Sequence, residues 1–223
     1  MSVETILLDG AERPPSEAKR RLLESALRLF STKGYDATSI REIIEAAGVT
    51  RPVLYYYFEN KEALFKRIVQ HQFNEIMQYI DEIIATISGC RDRLKALITH
   101  TFDSTEHSPK ATALILQVCF SPSLQGPLLE KDQFVVGRFQ RITRIMRDGL
   151  KSGELAGGNE ETLAVAFSGM MDMHIMAKTY QPDATLTGEL GRELVDLFVE
   201  GASNPKWVKG IRSPFHFDDA GES

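Results

Sequence analysis

Apolar residues recur every three to four positions through most of the chain, which is the spacing of amphipathic α-helices. In the first such segment the shared face carries Leu22, Ala26, Leu29 and Phe30. Three helices are predicted between residues 16 and 58, and six more at roughly 61–87, 91–105, 109–120, 127–151, 160–180 and 188–201. No alternation of apolar and polar residues is long enough to predict a strand. The sequence therefore predicts an all-α fold.

Capping residues define the first three helices. Ser16 is placed to cap the first helix, and Gly34 to end it in the left-handed conformation. Ser39 and Glu42 have the spacing of a capping box at the start of the second helix. Thr50 is suited to cap the third helix. Three short helices are thus expected to follow one another closely.

A turn at Gly48 joins the second and third helices, so the three helices are predicted to form a helix-turn-helix. Leu54 and Phe58 form the predicted inner face of the third helix. Its outward face is predicted to carry Arg51, Val53, Tyr55 and Tyr56, with Thr50 and Pro52 at the exposed tip. A helix that exposes its first turn while its other face is held by a scaffold can enter the major groove of DNA.

Side-chain chemistry assigns these residues to different parts of a duplex. Arg51 can donate two hydrogen bonds to O6 and N7 of guanine. Pro52 and Val53 offer apolar contact to a thymine methyl group. The tyrosine hydroxyls, Thr50 and Lys61 suit phosphate oxygens, which fix the register of a protein on DNA without reading its sequence.

The stretch from Ala37 to Leu64 carries the most specific motif. It reads ATSIREIIEAAGVTRPVLYYYFENKEAL, and Gly34-Tyr35 precede it. This pattern resembles the N-terminal domain of the tetracycline-repressor (TetR) family, and the resemblance covers about a quarter of the chain. Ile44 stands where the family usually has Ala, which is a packing change inside the second helix.

The resemblance implies a dimer in which each subunit places one recognition helix in the major groove of a partly palindromic operator. It also implies a helical C-terminal domain that binds a small molecule and holds the dimer. By position, the residues near bases are Arg41, Arg51, Pro52 and Val53. Those near phosphates are Ser39, Thr50, Tyr55, Tyr56, Tyr57 and Lys61.

Two of these residues have structural alternatives that the sequence leaves open. Tyr57 can belong to the core, as Phe58 does. Arg41 can be a surface charge paired with Glu45 at i+4, a pair that contributes little. The Tyr55–Tyr57 run alone can also be packing in a small domain, but its position after a capped, proline-containing helix start favours contact with DNA.

The charge distribution agrees with one DNA-binding end. Residues 16–67 carry ten Lys or Arg and seven Asp or Glu, although the whole chain has a net charge of −5. Hydrophobic residues make up 43% and charged residues 26%, which excludes a disordered chain, a collagen-like fibre and a membrane bundle. No signal peptide is evident, so a cytoplasmic location is expected. Cys90 and Cys119 are expected to be reduced and mostly buried thiols.

The two last helices are candidates for the dimer interface. The helix at 160–180 is apolar on two sides, one with Leu163, Phe167, Met170 and His174, the other with Met173, Met176, Ala177 and Tyr180. Such a helix must be buried on both sides. The last helix has an apolar stripe of Leu190, Leu194, Leu197 and Phe198. In the TetR family the final two long helices pair with their copies as a four-helix interface.

Candidate effector-binding residues follow from the apolar walls and few polar groups typical of small-molecule pockets. They are Phe102, Phe120, Phe134, Phe139, Met170 and Met173, with His100, Gln117 and His174 as polar contacts. Such residues also describe an ordinary core. The effector is expected to be hydrophobic or aromatic, and no other cofactor is implied. The histidines lack metal-ligand spacing, so no metal site is predicted.

The predicted organisation is a flexible arm at 1–15, a DNA-binding domain at 16–60, an effector-binding and dimerisation domain at 61–203 and a loose tail at 204–223. An enzyme is the competing class, but the chain has no P-loop, GxGxxG, HExxH or GxSxG motif. Ser16 to Lys19 matches SxxK at a helix start, where Ser acts as a cap. No catalytic residue is predicted. A ligand-independent DNA-binding factor of the same fold, of nucleoid or division type, is a further alternative.

Overall fold

The computed structural model of the chain describes residues 16–120 and 131–204. In these residues the fold is all-α, as predicted, without a strand. The nine helices are α1 (Glu17–Lys33), α2 (Ile40–Ala47), α3 (Arg51–Tyr57), α4 (Lys61–Thr86), α5 (Cys90–His107), α6 (Pro109–Phe120), α7 (Lys131–Ser152), α8 (Glu160–Tyr180) and α9 (Gly188–Ala202). The predicted arm at 1–15, the first residues of the predicted seventh helix at 127–130, and residues 205–223 of the predicted tail lie outside the described residues.

The helix contacts divide the chain into two compact units. Unit 1 comprises residues up to 75 together with 107–131, and unit 2 comprises residues 76–106 and 132 onward. Unit 1 therefore contains α1, α2, α3 and α6, and helix α4 contributes residues to both units. The functional boundary predicted after residue 60 stays a prediction.

Aromatic packing forms the core of unit 1. Phe30 and Phe65 are fully buried, and their rings meet edge to face with centroids 5.1 Å apart. Tyr35 folds back on both, 5.8 Å from Phe30 and 4.7 Å from Phe65. This is the contact that typically follows a glycine at a helix C-terminus. It fixes the chain between α1 and α2.

Caps are present at several helix ends of unit 1, although the Thr50 side chain makes no capping hydrogen bond. The Ser16 hydroxyl accepts a hydrogen bond from the Lys19 N–H. Gly34 ends α1 with a positive φ of +83°, but its ψ of 168° lies outside the left-handed helical conformation that was predicted. Gly48 lies in the left-handed region, as a tight turn between α2 and α3 requires. Asn60 caps α4 by accepting a hydrogen bond from the Ala63 N–H at 2.8 Å. Polar side chains therefore mark where these helices begin, and glycines mark where they end.

Helix α6 packs on α1 within unit 1. The Gln117 amide donates a hydrogen bond to the Ser31 carbonyl at 2.9 Å. The two residues are 86 positions apart in sequence. Local sequence patterns carry no signal for this contact, so α6 was not predicted to join α1.

Unit 2 is held by close helix packing and ion pairs. A Cβ on Gly191 of α9 would lie 3.1 Å from the Ile98 side chain of α5, so glycine allows these helices to approach closely. Arg138 of α7 pairs with Asp172 of α8, with one hydrogen bond at 2.8 Å. Both carboxylate oxygens of Glu154 accept backbone N–H groups at the start of α5. These contacts tie α5, α7, α8 and α9 into one body.

Within the described residues neither Cys90 nor Cys119 forms a disulfide, so both are thiols as expected. Cys90 is buried and Cys119 is half-buried. Burial raises the pKa of the Cys90 thiol to about 12. Because the thiolate is the reactive form, Cys90 is chemically inert near neutral pH.

Both α8 and α9 leave an apolar stripe uncovered in the single chain. On α8, Met173 and Tyr180 are 60% and 80% exposed. The buried face of α9 carries Gly191, Val195, Val199 and Ala202. The stripe predicted from sequence lies beside it, with Leu197 68% exposed and Leu190, Leu194 and Phe198 half-buried. Met173, Tyr180 and Leu197 therefore lie outside the core of unit 2, whereas the Phe198 ring contacts the buried Phe167 with centroids 5.6 Å apart.

Within the described residues, every helix is too short or too polar to cross a membrane.

Candidate nucleic-acid interface

Helix α3 is a seven-residue helix fixed by its inner face. Leu54 is fully buried and Phe58, its C-terminal cap, is 6% exposed, as predicted. Pro52 lies in the first turn, where its missing N–H costs no hydrogen bond. Thr50 is the N-cap residue, but its side chain makes no capping hydrogen bond. A helix this short is marginal alone, so packing of Leu54 and Phe58 holds it in place.

The opposite face of α3 is open to solvent. Arg51 and Pro52 are exposed, and Tyr56 is 80% exposed. Tyr55 is 46% exposed, and the Arg51 guanidinium lies 5.9 Å from its ring centroid. Val53 is half-buried. The surface thus offers one cation, phenol hydroxyls and apolar contact at the first turn of a held helix.

Helix α2 contributes the other predicted contact residues. Ser39 forms the predicted capping box with Glu42: the Ser39 hydroxyl accepts the Glu42 N–H at 3.2 Å, and the Glu42 carboxylate accepts the Ser39 N–H at 2.9 Å. The Arg41 side chain is 85% exposed and pairs with Glu45 at 2.7 Å. The surface pair that the sequence left open therefore forms, although the guanidinium stays accessible.

The electrostatics at the start of α2 favour the ionised form of the Glu42 carboxyl group. The ammonium of Lys33, and then the hydrogen bonds from Ser39, lower the pKa of Glu42 to about 2. A negative charge in the first helical turn also interacts favourably with the helix dipole. Glu42 therefore stays ionised near neutral pH and links the end of α1 to the start of α2.

Tyr57 connects two helices of unit 1, and the phosphate contact predicted for it stays a prediction. It is half-buried, and its hydroxyl is hydrogen-bonded to the Ser16 hydroxyl at the start of α1. Its ring lies edge to face with that of Tyr56, with centroids 4.8 Å apart. Tyr57 thus joins α3 to α1, a contact across 41 residues of sequence that helical periodicity does not reveal.

Lys61 has internal partners that the sequence did not indicate. Its ammonium donates hydrogen bonds to the Tyr35 carbonyl at 2.9 Å and the Thr38 carbonyl at 3.0 Å. It also lies 4.2 Å from the centroid of the Tyr35 ring. Lys61, the first residue of α4, thus holds two carbonyl groups of the loop between α1 and α2. These contacts use two of its three N–H groups, so the phosphate contact predicted for Lys61 stays a prediction.

The predicted effector residues are distributed over both units. Gln117 and Phe120 lie in unit 1, where the Gln117 amide is bound to Ser31 and Phe120 is 53% exposed. Met173 lies on the exposed stripe of α8, because its position on the helix faces away from the core of unit 2. The lining roles predicted for these three residues stay predictions.

Other effector candidates do lie inside unit 2. Phe102 is fully buried, and its ring lies 6.1 Å from that of His174. Phe139 is 8% exposed, and Phe134 and Met170 are half-buried. The His174 Nδ1 is hydrogen-bonded to the Met170 carbonyl at 2.7 Å. His100 stacks on Tyr79 and lines a separate surface groove.

No group of three or more His, Cys, Asp or Glu side chains suited to a metal ion occurs in residues 16–120 and 131–204.

Comparison with known proteins places this geometry in a family. Residues 22–68 match the model of the bacterial regulatory proteins of the tetR family. The uncharacterised HTH-type transcriptional regulator YdgC of Bacillus subtilis is 31% identical over 190 residues, which is 83% of this chain and 92% of YdgC. The chain belongs to the TetR family. It is thus a DNA-binding transcription regulator of the helix-turn-helix type.

Other similar proteins agree with this TetR-family assignment. The HTH-type transcriptional activator FasR of Mycolicibacterium smegmatis is 32% identical over 108 residues, so the match spans about half of each chain, 48% of this one and 49% of FasR. The crystal structure of FadR from Bacillus subtilis in complex with stearoyl-CoA has a TM-score of 0.63 at 18% identity, over 87% of this chain and 100% of FadR. That likeness shows the shared fold. The relatives named are regulators and not enzymes.

Proposed function

We propose that this TetR-family chain is a homodimeric repressor that leaves a palindromic operator when a small, mostly apolar effector binds. The observation that carries the proposal is the two-sided character of α3. Leu54 is fully buried on one side, whereas Tyr56 is 80% exposed on the other, next to the exposed Arg51. This is the arrangement by which a recognition helix presents its first turn to base edges.

The uncovered stripes of α8 and α9 support a homodimer. Met173, Tyr180 and Leu197 are each at least 60% exposed in the single chain. Exposed apolar side chains that continue along two neighbouring helices mark interaction surfaces. Two copies related by a two-fold axis would cover both stripes with the same surface on each subunit. A two-fold dimer in turn fits a palindromic operator.

The spacing of the two recognition helices would control DNA binding. A helix-turn-helix dimer binds half-sites about 34–36 Å apart, or a multiple of this distance. Helix α4 begins at Lys61, directly after α3, and continues into the residues of unit 2. We infer that an effector shifts the dimer through α4 towards a spacing that does not fit the operator. The shift can be no larger than the difference in effector affinity between the two states.

An apolar effector fits the side chains inside unit 2. Phe102 and Phe139 supply buried rings, and His174 supplies a polar group beside Phe102. The FadR structure that shares this fold holds stearoyl-CoA, which has a long apolar chain. We therefore propose an effector with an extended apolar part. We also propose that the protein acts in the cytoplasm, where its DNA is.

Fluorescence anisotropy of a labelled operator, obtained by sequencing the genomic fragments that the full-length protein retains, tests this proposal. Stearoyl-CoA is the probe and coenzyme A alone is the control. We expect protein to bind as a dimer and stearoyl-CoA, but not coenzyme A, to release the DNA. Operator binding that no acyl compound weakens would indicate a ligand-independent DNA-binding factor instead. Transcription from the same operator in the presence and absence of protein distinguishes repression from activation.

A further inference from the structure

The outer face of α5 carries a groove that the proposed function does not use. Its cavity volume is about 330 Å³, and all its lining residues belong to unit 2. Lys95, Thr99 and Asp103 follow one another at four-residue intervals along α5. Tyr79 of α4 and Arg192 of α9 also line the groove. A volume near 300 Å³ is at the lower end of the range for small-molecule sites.

Several hydrogen-bond donors meet in this groove without partners. Within the described residues, the Arg192 guanidinium makes no ion pair, and neither the Thr99 nor the Tyr79 hydroxyl makes a hydrogen bond. Lys95 pairs with Asp196 at 2.8 Å, but an ammonium has three N–H groups and can bind a second acceptor. Donors without acceptors on one concave surface favour an anionic ligand.

The start of α9 adds to the positive character of the groove. A Cβ on Gly188, the first residue of α9, would lie 2.9 Å from the Thr99 side chain and 3.3 Å from the Arg192 guanidinium. Glycine therefore allows the N-terminus of α9 to reach the groove wall. The N-terminal end of a helix carries a partial positive charge. Together with Arg192 and Lys95, it concentrates positive potential at one end of the groove.

Two aromatic rings in the groove lining form a flat surface. The rings of Tyr79 and His100 are stacked with centroids 3.5 Å apart and planes 20° from parallel. A stacked pair of rings offers a planar surface on which a further ring can lie. Asp103 adds a carboxylate to the lining. It suits a ligand that carries hydroxyl or amino donors next to its anionic group.

We propose that this groove binds a small organic phosphate with a planar ring, of the size and chemistry of a nucleoside monophosphate. Arg192, Lys95 and Thr99 bind the phosphate, and the Tyr79–His100 wall binds the ring. Asp103 accepts hydrogen bonds from the sugar hydroxyls. This site is distinct from the apolar effector site and from α3, so it adds a second ligand to the regulator whatever the operator is.

Isothermal titration calorimetry of the full-length protein tests the site directly. The probes are adenosine 5′-monophosphate, adenosine and inorganic phosphate. We expect the monophosphate to bind more tightly than either of its two parts. Arg192→Gln should weaken monophosphate binding by about tenfold or more, because it removes a charge-assisted hydrogen bond. Thr99→Val should also weaken it with almost no change in side-chain shape.

Arg144→Gln is the matched control, because Arg144 is an exposed arginine on α7 that makes no ion pair within the described residues. It should leave monophosphate binding unchanged. The proposal is overturned if the wild-type protein does not bind the monophosphate, or if Arg192→Gln and Arg144→Gln have equal effects. It is also overturned if inorganic phosphate binds as tightly as the monophosphate, since the ring would then contribute nothing. Thermal unfolding of each variant confirms that it is folded.

Discussion

Some side chains on α3 and α4 are exposed to solvent, whereas others connect these helices to neighbouring elements. Arg51 and Tyr56 are exposed with no partner that fixes them to the core, whereas Tyr57 and Lys61 are bound to α1 and to the loop after it. The sequence alone placed all four near DNA. Tyr57 and Lys61 are held by contacts with residues that lie 41 and 23 positions away in the sequence. A local sequence pattern contains no information on such contacts.

Arg51→Ala tests base readout. Loss of a bidentate contact to guanine should weaken specific binding by about 1–3 kcal/mol and relax the preference at one base pair. Dissociation constants for the operator and for a panel of operators with single base-pair changes provide the measurement. Arg144→Ala, which removes an exposed arginine on α7, is the control. An unchanged preference at every base pair in Arg51→Ala would refute the role given to Arg51.

Lys61→Met tests whether Lys61 stabilises the loop between α1 and α2 or contacts a DNA phosphate. The ammonium holds the carbonyls of Tyr35 and Thr38, so its loss should loosen α2 and α3 and weaken specific binding more than non-specific binding. The slope of log K against log salt should then stay the same. A lysine that contacts phosphate would instead weaken binding to all DNA about equally and lower the slope by about one unit. That second result would show that Lys61 meets the backbone of DNA.

Glu42→Gln tests the electrostatics of the capping box. The pKa of Glu42 is lowered from 4.5 to about 2 in the folded protein. Stability from its charge is therefore complete above about pH 4.5 and is lost as the pH falls towards 2. The variant should be less stable at pH 7 and lose less stability than the wild type between pH 4.5 and 2. Urea unfolding at several pH values measures this difference, and parallel curves would contradict the assignment.

At the scale of elements, the helices and their caps could be predicted because both depend on local sequence. The capping box at Ser39 and the left-handed Gly48 are where the residue types require them. The packing of α6 on α1 could not be predicted, since Gln117 and Ser31 are far apart in the chain. For the same reason, the sequence alone did not show that Gln117 and Phe120 lie in unit 1 and Phe102 in unit 2. Apolar composition does not say which core a side chain joins.

Leu54→Ala tests whether packing holds α3. Because Leu54 is fully buried, its truncation should destabilise the protein by about 2–5 kcal/mol, and α3 should be the first element to loosen. Hydrogen exchange of α3 amides together with urea unfolding measures both effects. Leu197→Ala, at a 68% exposed position, is the matched control for the single chain. Equal destabilisation by the two substitutions, measured at a concentration where the protein is monomeric, would contradict this account of α3.

The whole molecule combines a basic DNA-binding segment with an acidic body. Residues 16–67 carry an excess of three positive charges, and the complete chain has a net charge of −5. This asymmetry favours contact of residues 16–67 with an anionic duplex. The apolar stripes of α8 and α9 lie in the other unit. Regulation by dimer geometry would need both surfaces at once.

Leu197→Glu tests the proposed dimer. A carboxylate at the centre of an apolar interface is costly to bury, so the variant should be monomeric at concentrations where the wild type is dimeric. Light scattering after size exclusion measures the mass, with Glu200→Gln, an exposed neighbour on α9, as control. The monomer should remain folded but lose operator affinity. A dimer of unchanged stability would place the interface elsewhere.

Selection of genomic DNA fragments by the full-length protein, followed by sequencing, tests most directly whether the exposed turn of α3 reads a duplex. The wild-type protein should enrich an inverted repeat whose half-sites lie about 10–10.5 base pairs apart, or a multiple of this spacing. Arg51→Ala should enrich the same repeat with one base pair in each half-site relaxed. Retained DNA with no sequence in common beyond the input would contradict the account.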